Sequence, residues 1–504
     1  MRAESRYGKE KQIYAREFHT VKDNETIVTY DVENTRLIQL DDLEACVLKS
    51  ITEKPASMPE LKKRLPDENG DKIEEAVNEL INVDMLGYSP FKNISPKKIA
   101  EFERRRLKSM KKKEFKQIAL NVTHRCNMNC DYCYGGDGSY GGPAIDMSRD
   151  TARQAVDFLM KESGDSDFCR ITLFGGEPLL NFELVKYVVQ YARKEASKCN
   201  KKIHFGMTTN GILLDDDKID FLVKENIELT FSIDGPKDIH DKSRPFKSNK
   251  EKSSYDLVYP KIARYIEKAE VNNCHYGLRA TVTRPTILNM CDVIDFFRRF
   301  KTKSIIFDVA EYRNGISPSN LAISNDDLSV YRNQLKKMAE KYKEDRLKCE
   351  YDFFAGPLKE MKNKTRKESH CVSPGIHYVG ISAEGDIFPC HRFVGYKETK
   401  LGNVWQGFHR EKWLEKYAKV HLYNSTVCTN CWVRYFCGGL CPATQYYLGG
   451  DMVLSEKIEQ EPVHCQLKKI VFEESMLLFA RLSEEELEVV DCLDTQKCQS
   501  LALT

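Results

Sequence analysis

The sequence predicts an α/β chain in three parts, with a partial parallel barrel of six βα units at its centre, a small strand-then-helix domain before it and a cysteine-rich domain after it. Three observations predict this. From residue 116, short apolar runs alternate with helix-length amphipathic segments six times over. Ahead of them, three β-prone runs precede three helical patterns in under a hundred residues. Behind them, cysteines recur at spacings suited to metal ligation. A chain of 504 residues is long enough for such parts to hold cores of their own.

In chain order, the first domain spans 1–95. Tyr14 to Val21, Thr26 to Val32 and Thr35 to Leu40 read as strands of a meander. Asp41 and Asp42 cap a helix over Leu43 to Ile51, Ser57 starts one over Leu61 to Leu65, and Asp71 starts one over Ile73 to Leu86. Residues 96–115 form a basic linker with Lys97, Lys98, Arg104, Arg105, Arg106 and Lys111 to Lys113. It reads as a solvated helix, and without interleaved aromatics it does not point to nucleic acid.

The barrel occupies 116–345. Its strands are Gln117 to Val122, Arg170 to Phe174, Ile203 to Met207, Ile227 to Ile233, Gly277 to Val282 and Ser304 to Val309. Helices such as Thr151 to Lys161, Glu183 to Lys198 and Asp256 to Lys268 lie between them. Chemistry in such a fold belongs at the C-terminal ends of the strands. A helix over Leu321 to Asp345 leads to the cysteine-rich domain, 346–475, and an amphipathic helix over Glu473 to Val490 leads into the C-terminal tail of 476–504.

A net charge of +2 with 31% charged residues gives no global preference for nucleic acid or an anionic membrane. No apolar run is long enough to span a bilayer and the first residues lack a signal-peptide core, so a cytoplasmic protein is expected. Eighteen cysteines in a cytosolic chain then point to metal ligation rather than to disulfides.

The densest chemistry follows the first strand, in Cys126-Asn-Met-Asn-Cys130-Asp-Tyr-Cys133. Three thiolates can hold three corners of a 4Fe–4S cube. The fourth iron is left open, and a small molecule with adjacent amine and carboxylate groups can chelate it, as the methionine end of S-adenosylmethionine (AdoMet) does. Further signals stand at the next strand ends: Phe174-Gly175-Gly176-Glu177-Pro178, Thr209-Asn210-Gly211 and Ser232-Ile-Asp234-Gly235. A strand-end turn explains any one of these alone. Their order at successive strand ends resembles the radical SAM superfamily.

The resemblance implies that Cys126, Cys130 and Cys133 carry the cluster and that Tyr132 neighbours the adenine. It implies that Gly175 and Gly176 hydrogen-bond the methionyl amine, with Glu177 a structural partner rather than a base. Ser232 and Arg244 match positions used for the ribose and the carboxylate, a guanidinium suiting a carboxylate through its planar fork. Thr209, Asn210 and Asp234 complete the expected AdoMet site.

The second cysteine field runs through Cys371, Cys390, Cys428, Cys431, Cys437, Cys441 and Cys465. The spacing from 428 to 441 is expected by chance in roughly one chain in a thousand at this cysteine usage, so ligation is the better explanation. A zinc ribbon uses the same thiolate chemistry. The whole pattern resembles the SPASM extension of radical SAM peptide maturases, which houses two auxiliary 4Fe–4S clusters, making three in all. By that resemblance Cys428, Cys431, Cys437 and Cys465 hold one, and Cys371, Cys390 and Cys441 hold the other. The second set lacks a fourth cysteine; Cys349 and His377 are candidates, and otherwise one iron is open to a substrate thiolate. Cys492 and Cys498 read as unligated surface thiols.

The first domain resembles the winged-helix peptide-binding domain called a RiPP recognition element, which takes a leader peptide as an added strand. The edge would be Arg36 to Leu40, facing the helix over Lys72 to Leu86. The expected fold is therefore a partial (β/α)6 TIM-like barrel with an N-terminal winged-helix domain and a C-terminal SPASM iron–sulfur domain. Sulfatase maturases carry Asp directly after the position of Cys390, whereas here it is His391, read as structural. The Cys390-His-Arg-Phe-Val394 block, with Leu401 to Trp405 after it, looks more like thioether-forming maturases of ranthipeptide, sactipeptide or SCIFF precursors.

The expected activity is thus thioether crosslinking of a ribosomally made Cys-rich precursor peptide, with flavodoxin or ferredoxin as reductant and no nucleic acid or membrane partner. The alternatives are carbon–carbon crosslinking, side-chain oxidation as in sulfatase maturation, an electron carrier, or a zinc-stabilised peptide-binding scaffold.

Overall fold

The computed structural model describes residues 11–23, 26–90, 95–300, 305–310, 321–345, 352–453 and 462–487. Cys349, Cys492, Cys498 and residues 488–490 of the expected last helix lie outside them.

At the N-terminus β1 (Tyr14–Ala15) and β2 (Phe18–Lys22) share what the sequence suggested was one strand. Strands β2, β3 (Ile27–Asp31) and β4 (Arg36–Leu40) form an antiparallel sheet in that order. Helix α1 (Asp42–Glu53) opens with a capping box. The Asp41 carboxylate accepts from the Glu44 amide at 2.7 Å, and the Glu44 carboxylate accepts from the Asp41 amide at 2.9 Å. At the start of α2 (Met58–Arg64) the Glu60 carboxylate accepts from the Ser57 amide at 2.8 Å and from its hydroxyl at 2.9 Å.

Helix α3 (Gly70–Asn82) is capped by Asn69 rather than Asp71 and stops short of the expected Leu86. Asp84 adopts φ +58°, turning the chain so that Leu86 and Gly87 become β5, paired antiparallel with β1. Burying Leu86 as a strand partner outweighs its place in the helical period. Val47, Leu61, Ile73, Val77 and Leu80 form the core of this unit.

Every residue of β3 is buried, because its two faces meet different cores. Ile27 joins the helical core, while Val28 and Tyr30 pack with Phe436 and Phe472 from the cysteine-rich region. Tyr30 stacks on Phe436 at 4.4 Å and His19 on Trp432 at 3.7 Å between ring centroids. Arg434, buried at this seam, donates to Glu17 at 2.6 Å and Glu33 at 2.8 Å.

The linker forms α4 (Pro96–Lys112), and it is docked rather than merely solvated. Phe102 meets His421 and Tyr423 edge-on, and Glu103 accepts from Asn424 at 2.7 Å. An apolar position among the basic residues supplies the contact that charge counting overlooked.

The central sheet contains six parallel strands in sequence order: β6 (Gln117–Thr123), β7 (Phe168–Gly175), β8 (Lys202–Thr209), β9 (Glu228–Ser232), β10 (Tyr276–Val282) and β11 (Ile305–Val309). Helices α5 (Arg149–Glu162), α6 (Phe182–Lys198), α7 (Asp216–Lys224), α8 (Tyr255–Val271) and α9 (Met290–Arg298) connect them. All seven residues of β6 are buried, as expected of a parallel strand covered on both faces.

The sheet does not stop at β6. Strand β12 (Tyr378–Ile381) pairs parallel with it, and β13 (Asp386–Phe388), β14 (Gly402–Asn403) and β15 (Gly407–Phe408) follow antiparallel, making ten strands. Gly385, at φ +88°, takes the turn between β12 and β13 that delivers Cys390. Helix α10 (Leu328–Asp345) packs on α11 (Val463–Ala480). The latter carries Cys465 and begins at Val463, ten residues before the expected Glu473. No helix among the described residues is long and apolar enough to cross a membrane.

Candidate active site

The loop from Cys126 to Cys133 leaves the C-terminal end of β6, and the residues leading into it are locked to the end of β7 by backbone hydrogen bonds. The Gly176 amide donates to the Thr123 carbonyl at 3.0 Å and the Glu177 amide to Arg125 at 2.9 Å. A β-carbon on Gly176 would stand 2.2 Å from the Arg125 carbonyl oxygen. On Gly175, at φ +128°, it would stand 2.2 Å from that of Thr123. The two glycines are therefore required by the close approach of backbones. With the Gly176 and Glu177 amides committed to Thr123 and Arg125, and the Gly175 carbonyl accepting from Tyr140 at 2.9 Å, an amine would meet carbonyl oxygen rather than N–H at this turn.

Glu177 is buried and accepts from the Asn210 amide at 2.8 Å, the Thr209 hydroxyl at 2.7 Å and the Leu179 amide at 3.0 Å. Burial raises its pKa, and these donors hold it back. Asn210 donates onward to Asn127 in the cysteine loop at 2.8 Å. Glu177 is thus a clamp, and Thr209 and Asn210 belong to the same clamp as well as to the wall of the cavity. Glu177→Gln retains one acceptor oxygen and turns an NH2 group toward a backbone donor. It should cost about 2 kcal/mol, seen as a lowered Tm and weaker AdoMet binding; an unchanged Tm would count against the clamp.

Tyr132 and Arg244 converge on Asp234. The Tyr132 hydroxyl donates to its carboxylate at 2.7 Å, Thr281 N–H donates at 3.0 Å, and Arg244 Nε lies 3.1 Å away. Burial opposes the charge on Arg244, yet Asp234 beside it raises the guanidinium above its usual pKa. Asp234 therefore orients Tyr132 and Arg244 toward the cavity they line with Ser232.

That cavity has a volume of about 460 Å³ and takes in Cys126, Cys130 and Cys133 together with Cys437 and Cys441 of the second field. Burial pushes the Cys126 thiol up to about 12 and raises Cys130 and Cys133 as well. Buried thiols of this kind become thiolates when a cation is bound. Cys126 and Cys130 interact electrostatically with Cys133, and Cys130 with Cys126. The donor set accordingly fits a cluster with one iron left open. Among the described residues no three His, Cys, Asp or Glu side chains could hold a single metal ion. A cube presents a separate iron to each sulfur, so its ligands need not converge on one point as those of zinc do.

In the second field Cys371, Cys390 and Cys441 are electrostatic neighbours, and Arg392 donates to the Cys441 sulfur at 3.4 Å. Cys428, Cys431, Cys437 and Cys465 share the apolar cluster against β3. The described cysteines are all free of disulfides. His377 has its Nδ1 2.8 Å from the Glu114 carbonyl, tied to the linker rather than to the thiols. His391 lies 2.6 Å from the Tyr378 hydroxyl, and burial pushes it down to about 3.

The cavity also holds residues that motif reading missed, chiefly Arg279, Asp308, Arg392 and Lys468. Arg279 pairs with Asp308 at 2.5 Å. Burial works against the Asp308 charge, yet Arg279 and Arg392 hold its carboxyl below the usual range. The signal available in sequence was a charge inside each of two apolar strands, Leu278-Arg279-Ala280 and Phe307-Asp308-Val309.

A three-thiol loop and a partly open cavity lined by both apolar and charged side chains at the C-terminal ends of parallel strands define a cofactor-dependent α/β enzyme. Residues 120–279 match the radical SAM superfamily. An uncharacterised protein of Methanocaldococcus jannaschii is 33% identical over 57% of this chain and 88% of its own length. The cysteine-type anaerobic sulfatase-maturating enzyme of Clostridium perfringens is 25% identical over 69% of this chain and 92% of its own. Among solved structures, native anSMEcpe with bound AdoMet and Cp18Cys peptide superposes with a TM-score of 0.60 at 20% identity, over 75% of this chain and 99% of that one. Residues 120–279 are thus a radical SAM domain, and the chain is an enzyme of the oxidoreductase type.

Proposed function

We propose that this enzyme oxidatively modifies a peptide or protein held in the 460 Å³ cavity. The observation that carries the proposal is that one cavity is lined by the three-cysteine loop and by two cysteines of the second field. We assign Cys126, Cys130 and Cys133 to a 4Fe–4S cluster. Tyr132, Gly175, Gly176, Thr209, Asn210, Ser232, Asp234 and Arg244 are assigned to AdoMet, and the second field to two auxiliary clusters divided as the resemblance implies. When bound, the first cluster and AdoMet supply hydrogen-atom abstraction from an unactivated carbon, leaving methionine and 5'-deoxyadenosine.

The chain's own residues bind, orient and exclude water. Arg244, fixed by Asp234, takes a carboxylate through its fork. The buried Tyr132 closes the site on the loop side, while Arg279, Asp308 and Arg392 set the charge of the remaining wall. The N-terminal unit, a winged-helix domain in this reading, offers the outer edge of β4 beside α3 to a leader strand.

Side-chain oxidation is the product class that the sulfatase-maturating relative supports. Thioether formation is the second reading, favoured by His391 where sulfatase maturases carry Asp. One experiment separates them: the enzyme is incubated with AdoMet, a reductant and a candidate precursor peptide, and the product is alkylated and weighed. Oxidation yields an aldehyde reactive toward hydrazide. A thioether yields loss of two hydrogens and of one alkylatable thiol, and a carbon–carbon crosslink loses the hydrogens while keeping the thiol. Unchanged peptide mass alongside deoxyadenosine formation would sink the peptide reading.

A further inference from the structure

Helix α4 turns one stripe, Phe102, Arg105, Arg106, Ser109, Met110 and Lys113, into a groove of about 700 Å³. The other wall is the segment leading into Cys371, including Glu368, Ser369 and Val372. Arg105 is exposed and Lys113 half-buried, and among the described residues neither pairs with a carboxylate. Arg106 donates through Nη1 to Ser369 at 2.6 Å, while its buried Nε and Nη2 have no partner. The groove's one carboxylate, Glu368, accepts from Tyr423 at 2.8 Å. Val372, 47% exposed, adds an apolar contact at the rim. The groove is a cationic surface in search of an anionic partner.

What lies behind it narrows the partner. Arg106 stands over the Tyr417 ring, whose hydroxyl donates to the Cys371 carbonyl at 2.9 Å, and Arg106 also senses the Cys371 thiol electrostatically. None of residues 126–133 lines the groove, so a substrate seated here would not meet the loop where hydrogen abstraction begins. A partner that exchanges only an electron needs to reach no further than Cys371.

We propose that the groove between α4 and the 366–376 segment docks an acidic one-electron carrier protein, which exchanges electrons with the centre held by Cys371, Cys390 and Cys441. The proposal rests on the assignment of those cysteines to a redox cluster. Each docking moves one electron between carrier and centre, with no bond made or broken and no proton transferred. Substrate oxidation leaves one electron surplus after hydrogen abstraction, and the oxidised carrier accepts it.

The test is affinity, measured by isothermal titration calorimetry on full-length protein with an acidic flavodoxin. For the charge reversal Arg105→Glu/Lys113→Glu, Kd at low salt should rise at least tenfold. Wild-type affinity should fall steeply with added salt and the variant's should not, as for rim charges that steer association. The milder Arg105→Gln/Lys113→Gln should fall between, which guards against a folding defect. An unchanged flavodoxin Kd in both variants overturns the proposal. So does intact flavodoxin binding with lost binding of an acidic peptide, which gives the groove to substrate. Because binding needs no turnover, protein found to lack iron and sulfide would refute the cluster assignment while the affinity result still decides the docking.

Discussion

Replacing Cys126, Cys130 and Cys133 together by alanine is expected to reduce 5'-deoxyadenosine formation to background while the protein keeps the iron of its second cysteine field. The three thiols are neighbours in one loop, and their joint loss removes every sulfur that this loop offers. The second field lies on separate elements: the 371 and 390 loops, the short helices around 428 to 441, and α11. Loss of the first site should leave about eight of about twelve irons, measured with sulfide on anaerobically purified protein. Small substitutions in a loop whose course is set by Thr123 and Arg125 carbonyl contacts should also leave the fold intact. Deoxyadenosine production that survives the triple replacement would refute the assignment, as would zinc without sulfide in the wild type.

Much of this was legible in sequence because the signals are local. The six central strands, the helix starts at Asp41 and Ser57 and the cysteine loop each follow from periodicity or spacing within a dozen residues. What was not legible is pairing across hundreds of residues. Tyr378 to Ile381 is a four-residue apolar run that could be core or strand, and only tertiary context seats it against β6. That seating makes the second cysteine field a continuation of the central sheet, which is how one cavity comes to include both sets of thiols.

The same limit explains β3 and α4. A strand that meets two cores reads as an ordinary half-buried strand until its second partner is known. Once Tyr30 is seen on Phe436 and His19 on Trp432, the N-terminal unit is a wall of the second field rather than an appendage. Among the residues that line the cavity, motif matching had pointed to the loop, the glycines and Arg244. It missed Arg279 and Asp308, because a lone charge in a strand carries no motif and becomes informative only when it faces a cavity.

Gly176→Ala should damage the site severely, and it separates a packing requirement from flexibility. The backbone of Gly176 is not left-handed, so alanine is conformationally allowed there; only space forbids it. The new methyl group would lie 2.2 Å from the Arg125 carbonyl oxygen and 2.5 Å from its carbon, and backbone atoms cannot rotate aside. Either the turn withdraws, breaking the 3.0 and 2.9 Å bonds to Thr123 and Arg125, or Arg125 moves and carries Cys126 with it. Overpacking of this kind costs about 1–3 kcal/mol, and the displacement falls on the first cysteine of the loop. Iron loading of that loop should drop and AdoMet affinity should weaken at least tenfold, read by iron analysis and equilibrium binding. Gly142→Ala is the control, since its methyl group would meet nothing closer than 3.6 Å, and it should bind iron and AdoMet as the wild type does. Equal behaviour of the two variants would mean that the Gly-Gly turn does not brace the cysteine loop.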